Sequence, residues 1–139
     1  METQKLHSFL VVGDRSDRSD LQVLQDALHT LGHLAVSSEC DLEGELENRS
    51  YDTAVVDAGA VAKPEDVIRR ILSVQPHVKI VVITASPHWK IARAVFRAGA
   101  TDYLRKSQNI QEVRATFAQM LDQSIQAPRG DREVESEKD

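Results

Sequence analysis

Residues 80–84 read Ile80-Val81-Val82-Ile83-Thr84, a run of β-branched apolar residues that ends on a hydroxyl. Such a run leaves no face for water. It reads as a strand buried on both sides, the condition of a strand in a parallel sheet covered by helices. Two further runs share the character: Phe9-Leu10-Val11-Val12 and Ala54-Val55-Val56. His33-Leu34-Ala35-Val36 and Asp102-Tyr103-Leu104-Arg105 are weaker strand candidates.

Outward from these runs, the intervening segments carry helical spacing. Leu21, Leu24, Leu28 and Leu31 share one face, and Gly32 is the expected stop. Leu42 and Leu46 mark a short helix weakened by Gly44. Pro64 suits a first helical turn; Val67, Ile68, Ile71 and Leu72 follow on one face, and Pro76 forbids continuation. Ser86 is the expected N-cap of the next helix, whose buried stripe is Ile91, Ala94, Val95 and Ala98 and whose end is Gly99. The last helix runs from about Asn109 through Gln123. Asn109 and Glu112 have capping-box spacing there, and Ile110, Val113, Phe117, Met120 and Leu121 supply the apolar face.

The order is strand then helix, five times. This predicts an α/β fold: an open, doubly wound parallel sheet covered on both faces and joined by right-handed crossovers. A barrel of eight such units needs ~200 residues or more, and the chain has 139. Residues 1–126 are expected to form one domain, and 127–139 (APRGDREVESEKD) a disordered tail or linker stub. No apolar run approaches the ~20 residues of a spanning helix, and the N-terminus lacks a secretory pattern. A single cysteine, Cys40, cannot form an internal disulfide and points to the cytoplasm. A formal charge of −5 and an aromatic content of 4% argue against direct nucleic-acid binding by this domain.

Ligands of open parallel sheets bind at the carboxyl ends of the strands. Gly13-Asp14 follows the first run, Asp57 the third, Thr84-Ala85 closes the fourth, and Lys106 follows the fifth. Two carboxylates, a hydroxyl and an ammonium are therefore expected at one edge. Two close carboxylates repel, and a hard divalent cation relieves the repulsion. The lysine and hydroxyl add donors able to steady a phosphoryl group on one carboxylate.

The segments FLVVGD, AVVD ending in Asp57, VVITAS and RAGATDYLRKS, in this order and spacing, resemble a response-regulator receiver domain of bacterial two-component signalling, over about residues 7 to 124. The resemblance implies a flavodoxin-like (βα)5 fold and transfer of phosphate from a histidine kinase or phosphotransfer protein to an aspartate. It assigns Asp57 as phosphoacceptor, and Asp14, Asp57 and the Gly59 backbone carbonyl as Mg²⁺ ligands. It makes Lys106 the phosphate-contacting lysine, Thr84 the switch hydroxyl, Ala85 the small residue beside it, and Tyr103 the aromatic whose rotamer tracks activation. It implies no enzyme beyond phosphoryl transfer and dephosphorylation at the domain's own aspartate. The downstream protein would meet the face of the fourth helix, fifth strand and fifth helix, and a homodimer is possible in the family.

The sequence departs from that pattern at three places. The usual acidic pair is Gly13-Asp14, the loop after the acceptor is Ala58-Gly59-Ala60-Val61-Ala62-Lys63-Pro64, and the usual Lys-Pro is Lys106-Ser107. These departures keep a second reading open: a pseudo-receiver that binds partners without phosphorylation. A nucleotide- or flavin-binding enzyme is disfavoured, since the first strand–helix turn has neither G-x-G-x-x-G nor G-x-x-x-x-G-K-[ST]. Trp89 reads as a partly exposed partner anchor. The five histidines show no metal spacing and read as scattered surface or edge residues. Arg15, Arg18, Arg93, Arg97 and Arg105 read as solvated surface.

Overall fold

The computed structural model describes residues 7–13 and 18–126; for 18–20 and 122–126 it describes the backbone alone. Five strands, β1 (His7–Val12), β2 (Gly32–Ser37), β3 (Thr53–Asp57), β4 (Lys79–Thr84) and β5 (Asp102–Arg105), alternate with helices α1 (Arg18–His29), α2 (Leu42–Asn48), α3 (Pro64–Val74), α4 (Trp89–Ala98) and α5 (Ile110–Gln126). All pair in parallel in the order β2-β1-β3-β4-β5. This is the doubly wound sheet expected from the runs, in the flavodoxin-like form that the resemblance implies, with strand order reversing between β1 and β3.

Alternation along each strand divides the core. Leu10, Val12, Ala54, Val56, Ile80 and Val82 face the layer of α2, α3 and α4, meeting Leu42, Leu46, Val67, Ile68, Ile71 and Val95. Phe9, Val11, Val55, Val81 and Ile83 face α1 and α5, meeting Leu21, Leu24, Leu28 and Phe117. Every residue of β3 is buried, as befits the central strand.

Several local expectations are corrected. Gly32 does not stop α1, which ends at His29; Gly32 opens β2, where a Cβ would lie 2.1 Å from the His7 carbonyl oxygen. The helix closes instead through Thr30, whose hydroxyl donates to the Ala27 carbonyl at 2.7 Å. Ser86 does not cap α4. Its N–H donates to Thr84 Oγ1 in a tight turn, and His88 Nδ1 caps the helix by accepting from the Lys90 N–H. Ile91 and Ile110, expected in apolar stripes, are exposed. The helix α5 continues past Gln123 to Gln126, the first breaker being Pro128. Gly99 does end α4, at φ +121°. The 127–139 tail lies outside the described residues.

The histidines are less idle than surface residues. His7 Nε2 lies 2.8 Å from Thr53 Oγ1, tying β1 to β3 at the edge remote from the loops discussed below, and His88 is a cap. Cys40 is exposed in the β2–α2 loop. No helix among the described residues is long and apolar enough to cross a membrane.

Candidate functional site

Parallel strands bring their carboxyl ends to one edge. Val12, the last residue of β1, pairs with Val56. Asp57, the last of β3, pairs with Ile83 on β4, and Thr84 pairs with Arg105 on β5. The loops carrying Gly13, Asp57, Thr84 and Lys106 therefore leave the sheet side by side.

Asp57 is nearly buried, with 4% of its surface exposed. Its two carboxylate oxygens have different partners. The Gly59 N–H donates to Oδ1 at 3.1 Å, the bond that closes the 3₁₀ turn Ala58–Ala60. Lys106 Nζ donates to Oδ2 at 3.0 Å, and this ion pair is itself largely buried. A carboxylate taken out of water needs such compensation. Lys106 is delivered to it by the backbone: its N–H donates to the Thr84 carbonyl at 2.8 Å, extending the β4–β5 pairing one residue past the strand.

Thr84 is buried at the end of β4, and its Oγ1 accepts the Ser86 N–H at 3.1 Å. Ala85 follows, exposed at the mouth of the site. Tyr103 packs partly buried against the α2–α4 layer, and its hydroxyl accepts the His88 N–H at 3.1 Å. The aromatic thus holds the β4–α4 loop by its backbone, two residues after the turn that Thr84 closes.

Gly13 is buried beside this cluster, and its N–H donates to the Ser37 carbonyl at 3.0 Å. A Cβ at this position would lie 2.8 Å from Leu21 Cδ1 and 3.6 Å from the Asp57 Cβ. Where an acidic pair would put its first carboxylate, the chain puts the methyl of a core leucine. Sequence reasoning missed this wall. Asp14, the next residue, lies outside the described residues, as does Arg15.

The donors predicted for a cation are all oxygens, the set a hard divalent ion prefers. Asp57 faces the right edge, and Gly59 sits within its turn. Among the described residues no three His, Cys, Asp or Glu side chains gather. In the Lys106–Ser107 segment the described residues contain no cis peptide. Ser107 uses the freedom a proline lacks: its hydroxyl donates to Glu112 Oε1 at 2.6 Å and accepts the Asn109 N–H at 3.0 Å. Arg93, Arg97 and Arg105 are exposed, and so is Trp89, at 63%.

Fold and edge together define a class: a doubly wound sheet with a buried Asp–Lys pair at its strand-order reversal. No protein-family model matches the chain. It is 35% identical over 117 residues to the transcriptional regulatory protein PhoP of Escherichia coli, covering 81% of this chain and 51% of that one. The chain thus spans about half the length of the curated relatives it matches. Among solved structures it is similar to a CheY-like response regulator receiver domain from Methanospirillum hungatei, with TM-score 0.74, 17% identity and coverage of 87% of this chain and 98% of that one. It is also similar to a response regulator from Burkholderia pseudomallei with a phosphorylated aspartic acid and a calcium ion, with TM-score 0.66, 16% identity and coverage of 87% and 75%. These solved structures give the chain the fold of a response-regulator receiver domain, and over 117 residues its sequence resembles a transcriptional regulatory protein.

Proposed function

We propose that the chain is a phosphorylation-dependent switch in two-component signalling, with Asp57 as its phosphoacceptor. The observation that carries this reading is the buried Asp57–Lys106 pair, 3.0 Å apart at the edge where strand order reverses. The donor is a phosphohistidine on a histidine kinase or phosphotransfer protein. An Asp57 carboxylate oxygen attacks phosphorus, the P–N bond breaks with its electron pair passing to the imidazole, and an acyl phosphate forms. Lys106 then faces phosphoryl oxygens in place of a bare carboxylate, and its charge stabilises them. Mg²⁺ held by Asp14, Asp57 and the Gly59 carbonyl would supply further charge neutralisation at the same oxygens.

The conformational step follows from two bonds. The Thr84 hydroxyl now accepts from Ser86, and Tyr103 holds the His88 amide. A phosphoryl group that recruits the Thr84 hydroxyl pulls on residues 85–88, and with them the start of α4 and exposed Trp89. The face of α4, β5 and α5 would carry this change to a downstream partner, as a population shift between two loop arrangements. The curated relatives are transcriptional regulatory proteins, which points to transcriptional control as the output.

The pseudo-receiver reading rests on a specific observation too, the replacement of an acid by Gly13 with Leu21 against it. One experiment separates the two. Wild-type protein and Asp57→Asn are incubated with acetyl phosphate and Mg²⁺ and weighed intact. The switch reading expects one added phosphoryl mass in the wild type and none in the variant. An unchanged wild-type mass at all Mg²⁺ concentrations leaves the pseudo-receiver.

A further inference from the structure

The loop after Asp57 reads Ala58-Gly59-Ala60-Val61-Ala62, without one polar side chain. Its backbone amides must find acceptors elsewhere. Gly59 uses Asp57 itself. Ala62 uses a residue from a different loop: its N–H donates to Glu39 Oε1 at 3.2 Å. The second carboxylate oxygen of Glu39 accepts from Arg70 Nη1 at 3.1 Å, and the Glu39 carbonyl accepts from Arg70 Nη2 at 2.9 Å. Arg70 is fixed in turn by Glu43, through Nε at 2.6 Å and Nη2 at 2.7 Å. One carboxylate therefore bridges the acceptor loop to α3, and an arginine holds that carboxylate on both its side chain and its backbone.

We propose that Glu39 is a positioning residue for the phosphoacceptor loop, setting the placement of Gly59 and, through it, of the Asp57 carboxylate. The inference rests on the reading of Asp57 as the acceptor, and it adds a residue from the β2–α2 loop that never touches the phosphoryl group. The loop is pinned by a carboxylate near each end, Asp57 at Gly59 and Glu39 at Ala62. Loss of the second pin frees the Gly59 carbonyl and slackens the bond to Asp57 Oδ1. Glu43 is the internal control, because it does not touch the loop and Arg70 has two bonds to Glu39 that do not involve it.

The test compares the full chain with Glu39→Ala, Glu39→Gln and Glu43→Ala. Amide hydrogen exchange at Gly59 and Ala62 is read by NMR, and phosphorylation by acetyl phosphate is timed by intact mass. Glu39→Ala is expected to exchange faster at both amides and to phosphorylate more slowly, each by about tenfold, the weight of one ~1.4 kcal/mol hydrogen bond. Glu39→Gln, whose amide oxygen still accepts from Ala62, recovers most of both, and Glu43→Ala leaves both within about twofold of wild type. The proposal is overturned if Glu39→Ala leaves exchange at Gly59 unchanged, or if Glu43→Ala reproduces its effects. A wild type that takes no phosphate removes the reading of Asp57 alone, and the exchange comparison still decides whether Glu39 places the loop.

Discussion

Gly13 shows how one residue changes the chemistry of the edge that carries Asp57 and Lys106. Its neighbour across the gap is Leu21, 2% exposed, whose Cδ1 stands where a Cβ would go. The site is thereby one carboxylate poorer and one apolar wall richer. Asp57 then meets less repulsion from its own surroundings, and Lys106 compensates its charge across 3.0 Å. Placing an acid at this position should be costly. In Gly13→Asp the leucine must move within a packed layer, and a second carboxylate must sit beside the first; overpacking alone costs ~1–3 kcal/mol. We expect urea denaturation in metal-free buffer to show a loss in this range, partly recovered by Mg²⁺. A variant as stable as wild type in metal-free buffer would mean that Leu21 yields freely. At this scale the sequence already displayed Asp57, Thr84 and Lys106, because each ends or follows an apolar run. It could not display Leu21 as their neighbour, since a leucine on a helix face looks the same wherever that face points.

Elements are joined here by caps and clamps whose chemistry is local but whose partners are not. The capping-box spacing of Asn109 and Glu112 proved half right. Asn109 Oδ1 accepts the Gln111 and Glu112 amides, while Glu112 reaches back to the Ser107 hydroxyl, which holds the Asn109 N–H. The cap of α4 was misread, because Thr84 captures the amide turn at Ser86 and leaves the helix to His88. Glu39 was invisible for a simpler reason: nothing in its own neighbourhood of sequence relates it to Asp57. The clamp between α2 and α3 has a pH signature. The Arg70 guanidinium bonded to Glu43 lowers that carboxyl below its ordinary value near 4.5, against a small opposing effect of burial. A depressed carboxyl stabilises the fold above its unfolded pKa, and this contribution fades as pH falls through the folded value. Arg70→Met should therefore be less stable than wild type at neutral pH and approach it as pH falls through the depressed Glu43 value. Glu43 is half exposed, so its share of the difference is about 0.2–1 kcal/mol. Denaturant midpoints at pH 7 and pH 3.5 check it, and a gap that widens in acid would contradict it.

For the molecule as a whole, the sheet is both wall and frame. The two faces of its strands hold separate apolar layers, and each layer delivers a different part of the site. The α1 and α5 layer closes against β4 and β5 beneath Lys106, through Leu24, Val113 and Phe117. The opposite layer carries Val61, from the loop after Asp57, and Tyr103. The fold was legible because burial on both faces writes itself into a strand as an unbroken apolar run. The division of labour was not, since periodicity tells which residues are buried and not which layer receives them. Phe117 tests that division. It is 3% exposed and meets Phe9 edge-on, ring centroids 6.3 Å apart, locking α5 to the sheet. Truncation to alanine removes this contact and opens a cavity, at a cost of ~3–5 kcal/mol. Because α1 packs on α5 while α3 belongs to the opposite layer, the loss should be uneven. Amide exchange in α1 and α5 should rise well beyond that in α3, as one locally opening unit. The Lys106–Asp57 pair should loosen with them, since Lys106 leaves the sheet directly into α5's cap through Ser107. Equal loss of protection in α3 and α5 would instead mean that the two layers unfold only together, and that the sheet transmits every disturbance from one side of the site to the other.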